Sequence, residues 1–193
     1  MFSNDWFENA KPLWESAIRP WFQKTTPSDI LEIGSWEGAS TCWLADAAPQ
    51  ATIVCVDTWK GGEEHDPNGM DKVKEAFDQN TFKFGPRITT MQMTSRVALA
   101  ALASAGTRFD FIYIDGSHHA ADVLSDCVLA FQLAKQGCLL VFDDYLWGPW
   151  QDPARNHRTP KIAIDAFLYC YRDEVKVLHT GYQVIAQKVA DRQ

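Results

Sequence analysis

The sequence has no long apolar run and no secretion signal. No apolar stretch approaches the roughly 20 residues that a membrane-spanning helix requires. The first residues also lack a basic region followed by an apolar one. We therefore expect a cytoplasmic protein with no membrane partner.

Cysteines are few, and basic residues are outnumbered by acidic ones. The five cysteines form no CxxC pair, so no zinc cluster is predicted, and their mostly apolar neighbours are typical of free buried thiols in a reducing compartment. They are Cys42, Cys55, Cys127, Cys138 and Cys170. Lys and Arg total 18 against 25 Asp and Glu, and the net charge of −7 disfavours a nucleic-acid partner.

Strand-like and helix-like segments alternate along the 193 residues. Short apolar runs predict strands at 30–33, 52–57, 87–91, 109–115, 138–143, 174–178 and 182–186. Helical spacing predicts helices at 39–48, 71–83, 95–105, 119–134 and 162–171. This α/β order predicts a doubly wound, mostly parallel seven-stranded sheet with an antiparallel last strand, within a single domain over residues 1–193.

An apolar stripe over residues 6–22 predicts an amphipathic helix that Pro12 divides into two pieces. Residues 1–27 are accordingly expected to form a helical N-terminal extension, and residues 28–193 the core. The tryptophans of the extension, Trp6, Trp14 and Trp21, are expected to pack in the core rather than over a binding site.

A glycine-rich turn follows the first predicted strand, from Glu32 to Gly38. Glycine allows a tight turn, and the following helix N-terminus offers N–H groups to an anion. Asp57 ends the second strand, where a carboxylate can bind both hydroxyls of a ribose or can cap a turn. Trp36 stands where dinucleotide-binding turns carry a glycine, which weakens a nicotinamide interpretation.

Three acidic residues end the fourth and fifth strands: Asp115, Asp143 and Asp144. Neighbouring strand ends would bring these carboxylates together, and oxygen ligands suit Mg²⁺. Their spacing leaves two interpretations open, a metal site or the capping of loops. His118, in the turn after Asp115, is a candidate general base because imidazole accepts a proton near neutral pH.

These residues resemble class I S-adenosylmethionine-dependent methyltransferases, specifically the small-molecule O-methyltransferases with a divalent metal site, the macrolide-sugar and cephalosporin-hydroxylase-like group. The resemblance covers about residues 28 to 188. It is carried by segments 31–40, 56–59, 109–118 and 137–144.

The resemblance implies a Rossmann-like methyltransferase fold, S-adenosylmethionine as cofactor, Mg²⁺ or another divalent cation, and a small hydroxylated acceptor. It implies metal ligands at Asp115, Asp143 and Asp144, and a general base at His118. It implies cofactor contacts at Glu32, Gly34, Ser35, Trp36, Gly38, Ser40, Asp57, Ser95 and Asp115.

Other functions stay open at this point: a nicotinamide-dependent oxidoreductase, a non-catalytic nucleoside-binding protein, or a hydroxylase-like relative of the same fold. The loops 59–70 and 147–159 are expected to form a substrate rim. They contain His65, Trp147, Trp150, Arg155 and His157. A homo-oligomer is also possible.

Overall fold

Apolar runs and amphipathic segments alternate as strands and helices in a computed structural model that describes residues 2–4, 6–62, 70–148 and 158–191. The strands are β1 (Asp29–Ile33), β2 (Thr52–Asp57), β3 (Ile88–Gln92), β4 (Phe109–Ile114), β5 (Ala134–Phe142), β6 (Val175–Thr180) and β7 (Val184–Lys188). The α-helices are α1 (Lys11–Leu13), α2 (Arg19–Thr25), α3 (Ala39–Ala47), α4 (Met70–Thr81), α5 (Ser95–Ser104), α6 (Ala120–Leu133) and α7 (Pro160–Cys170).

The strands form a seven-stranded sheet in the order β3-β2-β1-β4-β5-β7-β6. Strands β1, β2 and β3 pair in parallel, as do β4 and β5, whereas β7 runs antiparallel to both β5 and β6. The predicted α/β fold, with its mostly parallel sheet and antiparallel end, is confirmed. The chain consists of two compact units, Met1–Met93 and Thr94–Gln193.

The first unit contains the helical extension and the strands β1 to β3. A π-helical turn, Trp14–Ile18, joins α1 to α2, and the N–H of Arg19 donates to the carbonyl of Trp14. Pro20 has no N–H to donate, so a widened turn before it loses little. Pro12 lies in the first turn of α1, after a 3₁₀ turn over Trp6–Asn9, where proline is well tolerated.

The N-terminal tryptophans have different environments. Trp14 is fully buried, and its ring contacts those of Phe7 and Trp43 at centroid distances of 4.7 and 5.1 Å. This confirms core packing for Trp14. Trp6 is 56% exposed, and the prediction of core packing is wrong for this residue.

The second unit contains β4 to β7 and the helices α5 to α7. Strand β5 begins at Ala134, earlier than predicted, because Ala134 pairs with Phe109 before a register shift. Gly137, with φ of +83°, lies in the irregular segment that follows. Beyond it, β4 and β5 are almost wholly buried, as expected for strands with helices on both faces.

Among the described residues, no helix has the length and apolar character needed to cross a membrane. All five cysteines are free. Cys55, Cys127 and Cys138 are buried as predicted, whereas Cys42 is half-buried and Cys170 is exposed.

Candidate functional site

Three residues of the turn between β1 and α3 have positive φ angles, a conformation that favours glycine. Gly34 and Gly38 both have φ of +84°, and Trp36 has φ of +46°. A Cβ atom at Gly38 would lie 3.1 Å from side-chain carbons of both Phe77 and Thr81 on α4. Glycine is therefore required at position 38 by conformation and by the close approach of α4.

The Glu32 carboxylate is fully buried beneath this turn. It accepts hydrogen bonds from the hydroxyls of Ser35 at 2.7 Å, Ser40 at 2.5 Å and Thr41. Burial raises the pKa of Glu32, and the three hydroxyl donors act in the opposite direction. The side chains of Glu32 and Ser40 thus bind each other and fix the turn to the start of α3.

Asp57, at the end of β2, holds the same turn from the other side. Its Oδ2 accepts hydrogen bonds from the N–H groups of Ser35 and Trp36, each at 2.9 Å, and its Oδ1 accepts from the N–H of Trp59 at 2.7 Å. These contacts correspond to the turn-capping alternative that the sequence left open. They also fix the backbone of Ser35 and Trp36, two of the residues that are predicted to contact the cofactor.

The N-terminal residues contact the turn as well. The N–H and hydroxyl of Ser3 both donate to the Glu37 carboxylate, the former at 2.6 Å. The rings of Trp6 and Trp36 lie 5.4 Å apart. The helical extension therefore contacts the segment that the sequence predicts to be a cofactor site.

In the second unit, the predicted cofactor residue Ser95 begins α5. Its hydroxyl hydrogen-bonds to the Asp126 carboxylate of α6. Asp126 is almost fully buried, and its Oδ1 has no hydrogen-bond partner within the described ranges. Ser95 thus joins two helices in this structure.

The second unit also brings the three predicted metal ligands together. Asp115, Asp143 and Asp144 each offer a carboxylate oxygen, and the three oxygens lie within 4.8 Å of one another. Asp115 follows β4, and the other two residues follow its parallel neighbour β5, which explains the convergence. The donor set is all carboxylate oxygen, and it fits a hard divalent cation such as Mg²⁺.

Hydrogen bonds hold Asp143 on two sides. The phenol of Tyr113 bridges Asp115 and Asp143, and the Gln183 amide donates to Oδ2 of Asp143 at 2.6 Å. Desolvation of the carboxyl, followed by the neighbouring charge of Asp144, raises the pKa of Asp143 to about 6. Repulsion between neighbouring carboxylates is what a bound cation would relieve.

The candidate base lies beside this cluster. Nε2 of His118 is 2.8 Å from Oδ2 of Asp144. The Trp147 ring stacks on the imidazole, with ring centroids 4.4 Å apart and planes at 30°. His119, by contrast, is the exposed residue that precedes α6, so the structure distinguishes the two adjacent histidines.

Sequence reasoning did not identify Tyr113, Tyr182 or Gln183 as site residues. Tyr182 and Gln183 lie in the turn between β6 and β7, and Tyr182 donates to Oδ1 of Asp144 at 3.0 Å. Tyr182 and Gln183 reach the site because the final hairpin pairs with β5. The sequence does not specify that pairing, so it gave no signal for these two residues. Of the predicted rim, residues 63–69 and 149–157 lie outside the described residues. These include His65, Trp150, Arg155 and His157.

Comparison with known proteins gives a family and several structural neighbours. A family model described as a methyltransferase domain matches residues 31–145. The uncharacterised protein R132 of Acanthamoeba polyphaga mimivirus is 26% identical over 134 residues, which make up 65% of this chain and 57% of that protein. The match therefore spans little more than half of the length of this curated relative.

Two solved structures show the same fold. The O-methyltransferase TomG from Streptomyces achromogenes, involved in tomaymycin synthesis and solved with SAM, has a TM-score of 0.70 at 19% identity, covering 93% of this chain and 80% of TomG. The methyltransferase MycE of the mycinamycin biosynthetic pathway, solved with Mg, SAH and mycinamycin VI, has a TM-score of 0.67 at 18% identity, covering 98% of this chain and 50% of MycE.

The family match includes the glycine turn after β1, the acidic end of β2 and the acid cluster after β4 and β5. It extends over more than half of the chain, and we conclude that this protein is a member of the methyltransferase-domain family.

Proposed function

We propose that this methyltransferase transfers a methyl group from S-adenosylmethionine to a hydroxyl group of a small molecule, assisted by a divalent cation. The observation that carries the proposal is the acid cluster of the second unit. Asp115, Asp143 and Asp144 offer ligand atoms within 4.8 Å of one another, and His118 lies 2.8 Å from Asp144. Such a cluster can hold a cation that lowers the pKa of an acceptor hydroxyl, which favours loss of the proton before methylation.

The turn of the first unit is proposed to bind the methyl donor. The positive φ angles of Gly34 and Gly38 give the turn its tight shape, and Asp57 keeps that shape by accepting hydrogen bonds from three backbone N–H groups. A carboxylate has about four acceptor sites, so Asp57 retains capacity for a ribose hydroxyl. The proposed cofactor residues are Glu32, Gly34, Ser35, Trp36, Gly38, Ser40, Asp57, Ser95 and Asp115.

Asp115, Asp143 and Asp144 are proposed to hold the cation. When bound, S-adenosylmethionine supplies an electrophilic methyl group, and the cation lowers the pKa of an acceptor hydroxyl. His118 is proposed to take the hydroxyl proton, and Trp147 limits the rotation of its imidazole by stacking on it. The acceptor oxygen then forms a bond to the methyl carbon as the carbon–sulfur bond breaks, and S-adenosylhomocysteine leaves.

A small-molecule acceptor is supported by the neighbours, since MycE was solved with mycinamycin VI. The net charge of −7 argues against a nucleic-acid partner. Five free cysteines fit a reducing compartment, and we propose that the protein acts in the cytoplasm.

Ligand-dependent thermal unfolding tests the cofactor assignment. The protein is heated with S-adenosylhomocysteine, with NAD or with neither, each with and without Mg²⁺. A ligand at 100 times its Kd contributes about 2.7 kcal/mol, which corresponds to a rise in Tm of roughly 5–10 °C for a chain of this length. A rise with NAD and none with S-adenosylhomocysteine would overturn the assignment.

Turnover of a panel of sugars and phenols tests the reaction. We expect methyl transfer to require Mg²⁺ and to fall by about 100-fold or more in His118→Ala and in Asp143→Asn. The matched controls are His119→Ala, at the exposed neighbouring histidine, and Asp46→Asn, at an exposed acid of the first unit. Normal turnover in both site variants would contradict the proposed mechanism.

A further inference from the structure

Two consecutive residues of the β6–β7 turn bind three consecutive residues after β5. The Gln183 amide donates to Oδ2 of Asp143 at 2.6 Å, and the Tyr182 phenol donates to Oδ1 of Asp144 at 3.0 Å. The N–H of Tyr145 donates to the carbonyl of Tyr182 at 2.9 Å. The turn therefore contacts both adjacent acids of the cluster and the backbone directly after them.

Strand pairing explains why the turn lies there. Strand β7 runs antiparallel to β5, and Val184 pairs with Phe142. The residues that precede β7 consequently lie next to the residues that follow β5. This register places Gln183 beside Asp143 and is set by the sheet rather than by loop flexibility.

The backbone of Asp144 needs such support. Its φ is +55°, in the left-handed region that residues other than glycine seldom adopt. Two hydrogen bonds hold this conformation: the Tyr182 hydroxyl donates to the Asp144 carboxylate, and the N–H of Tyr145 donates to the Tyr182 carbonyl. Strained backbone of this kind persists where its surroundings fix it, and often at functional sites.

The burial of the two donors differs in a useful way. The Gln183 side chain is 3% exposed, so its amide bond to Asp143 is shielded from water. Tyr182 is 52% exposed, and only its hydroxyl is committed to the cluster. Removing that hydroxyl takes one donor from Asp144 and leaves the Gln183 amide and the Tyr182 carbonyl in place.

We propose that Tyr182 and Gln183 are positioning residues for the divalent-cation site, with Gln183 setting the orientation of Asp143 and Tyr182 that of Asp144. This inference rests on the proposed function, since it assumes that these acids bind a cation. Both donors are uncharged, so they orient carboxylates without replacing the cation or neutralising its ligands. Residues that orient metal ligands typically change affinity by about 10- to 100-fold when they are replaced.

The test is the binding of Mn²⁺ alone to the full chain. Binding is measured from the electron paramagnetic resonance signal of the Mn²⁺ that remains free in solution. The variants are Gln183→Met, which removes the amide at similar size, and Tyr182→Phe, which removes one hydroxyl. The controls are Gln187→Met, whose amide bonds to Gly137 on the same sheet, and Tyr169→Phe, at a 72% exposed tyrosine.

We expect Mn²⁺ to bind the wild type, and each turn variant to raise its Kd by about tenfold or more, with both controls within twofold of the wild type. The line shape of bound Mn²⁺ should also change in the turn variants, which a loss of stability alone would not produce. If Gln183→Met proves unstable, Tyr182→Phe still tests the inference, because Tyr182 is exposed and the substitution removes a single hydroxyl.

Two outcomes contradict the inference in different ways. If the wild type and both turn variants bind Mn²⁺ equally, the positioning role is wrong and the proposed function stands. If the wild type does not bind Mn²⁺ while S-adenosylhomocysteine still raises its Tm, the cation site itself is wrong, and the positioning role falls with it.

Discussion

Nε2 of His118 lies 2.8 Å from Oδ2 of Asp144. The proposed base and a proposed cation ligand are therefore direct partners. Each side chain has a second restraint, since Trp147 stacks on the imidazole and Tyr182 donates to the carboxylate. The two roles can nevertheless be separated by substitution, because the proposed cation ligands are the three carboxylates and His118 is the proposed base.

We expect His118→Ala to lower turnover while keeping cation affinity. Loss of a general base typically costs about 10²- to 10⁴-fold in rate. Asp144→Asn should instead lose both turnover and Mn²⁺ binding, because it removes a ligand charge and the partner of His118. Turnover at saturating Mg²⁺ and Mn²⁺ titrations of both variants provide the measurement. Equal Mn²⁺ affinity in wild type and Asp144→Asn would contradict the ligand role.

Replacing Trp147 should affect the rate more than binding. The stacked ring restricts His118, and the ring pair contributes about 0.5–1.5 kcal/mol beyond area burial. We expect Trp147→Leu to lower kcat by about 3- to 10-fold, which is the rate equivalent of roughly that energy. The affinity for S-adenosylhomocysteine should stay within twofold. Trp21→Leu, in the helical extension, is the matched control and should leave kcat unchanged.

Gly38→Ala should destabilise the protein and weaken cofactor binding. A residue other than glycine in the left-handed region costs about 1–2 kcal/mol, and crowding in a packed site adds about 1–3 kcal/mol. The new methyl group would lie 3.1 Å from Phe77 and Thr81. Gly106→Ala is the control, because its φ is +70° and nothing lies within 4 Å of the added carbon. Urea unfolding should show the larger loss for Gly38→Ala, and equal losses would contradict the crowding.

The buried Asp126 predicts a pH-dependent stability. Burial raises the pKa of Asp126 from 3.8 to about 6, the hydrogen bond from Ser95 acts in the opposite direction, and Asp122 raises it further. The folded protein therefore binds the proton more tightly than the unfolded chain does. This contribution to stability is complete below pH 4 and is lost as the pH rises towards 6.

Asp126→Asn should remove the loss of stability that the wild type shows as the pH rises, because the amide does not ionise. Relative to the wild type, the variant should gain about 2 kcal/mol in unfolding free energy between pH 4 and pH 7, because the full shift is worth 1.36 kcal/mol per pKa unit and a part of it is already lost at pH 4. Urea unfolding at both pH values measures the change. Asp173→Asn, at an exposed acid, serves as the control. Parallel stability curves for Asp126→Asn and the wild type would contradict the assignment.

The contact between the rings of Trp6 and Trp36 predicts a role for the extension in cofactor binding. Trp6→Ala should change stability little, because Trp6 is 56% exposed. It should raise the Kd for S-adenosylhomocysteine by about 3- to 10-fold, since loss of an aromatic pair is worth about 0.5–1.5 kcal/mol. Tyr169→Ala is the control at an exposed aromatic residue. Unchanged affinity for S-adenosylhomocysteine in Trp6→Ala would contradict a role of the extension in cofactor binding.

The fold could be predicted because its central strands are largely buried and so form apolar runs, whereas the edge strands β3 and β6 are mostly exposed. The segments around Ile30, Val54 and Ile112 are of this kind. Element ends were less predictable, as the early start of β5 shows. Ala134 joins the sheet through its pairing with Phe109, and no local sequence signal specifies a partner so distant in the chain.

The proposed ligands could be predicted because strand ends meet at one edge of a parallel sheet. Asp115 and Asp143 are two such residues, and they converge as expected. The positions of Tyr182 and Gln183 could not be predicted, because they depend on which strand the last hairpin pairs with. Asp57 was predicted correctly as a strand-end acid, but its hydrogen bonds to the turn depend on the pairing of β2 with β1, which no local sequence signal specifies.

The three backbone bonds to Asp57 have a consequence for the order of folding. Ser35 and Trp36 have no Asp57 carboxylate to bind until β2, some twenty residues later in the chain, has paired with β1. During synthesis these bonds can therefore form only after residue 57 has emerged and the two strands have paired. A methyl donor that binds at this proposed site would then meet a turn that is already ordered, so little conformational entropy would be lost on binding.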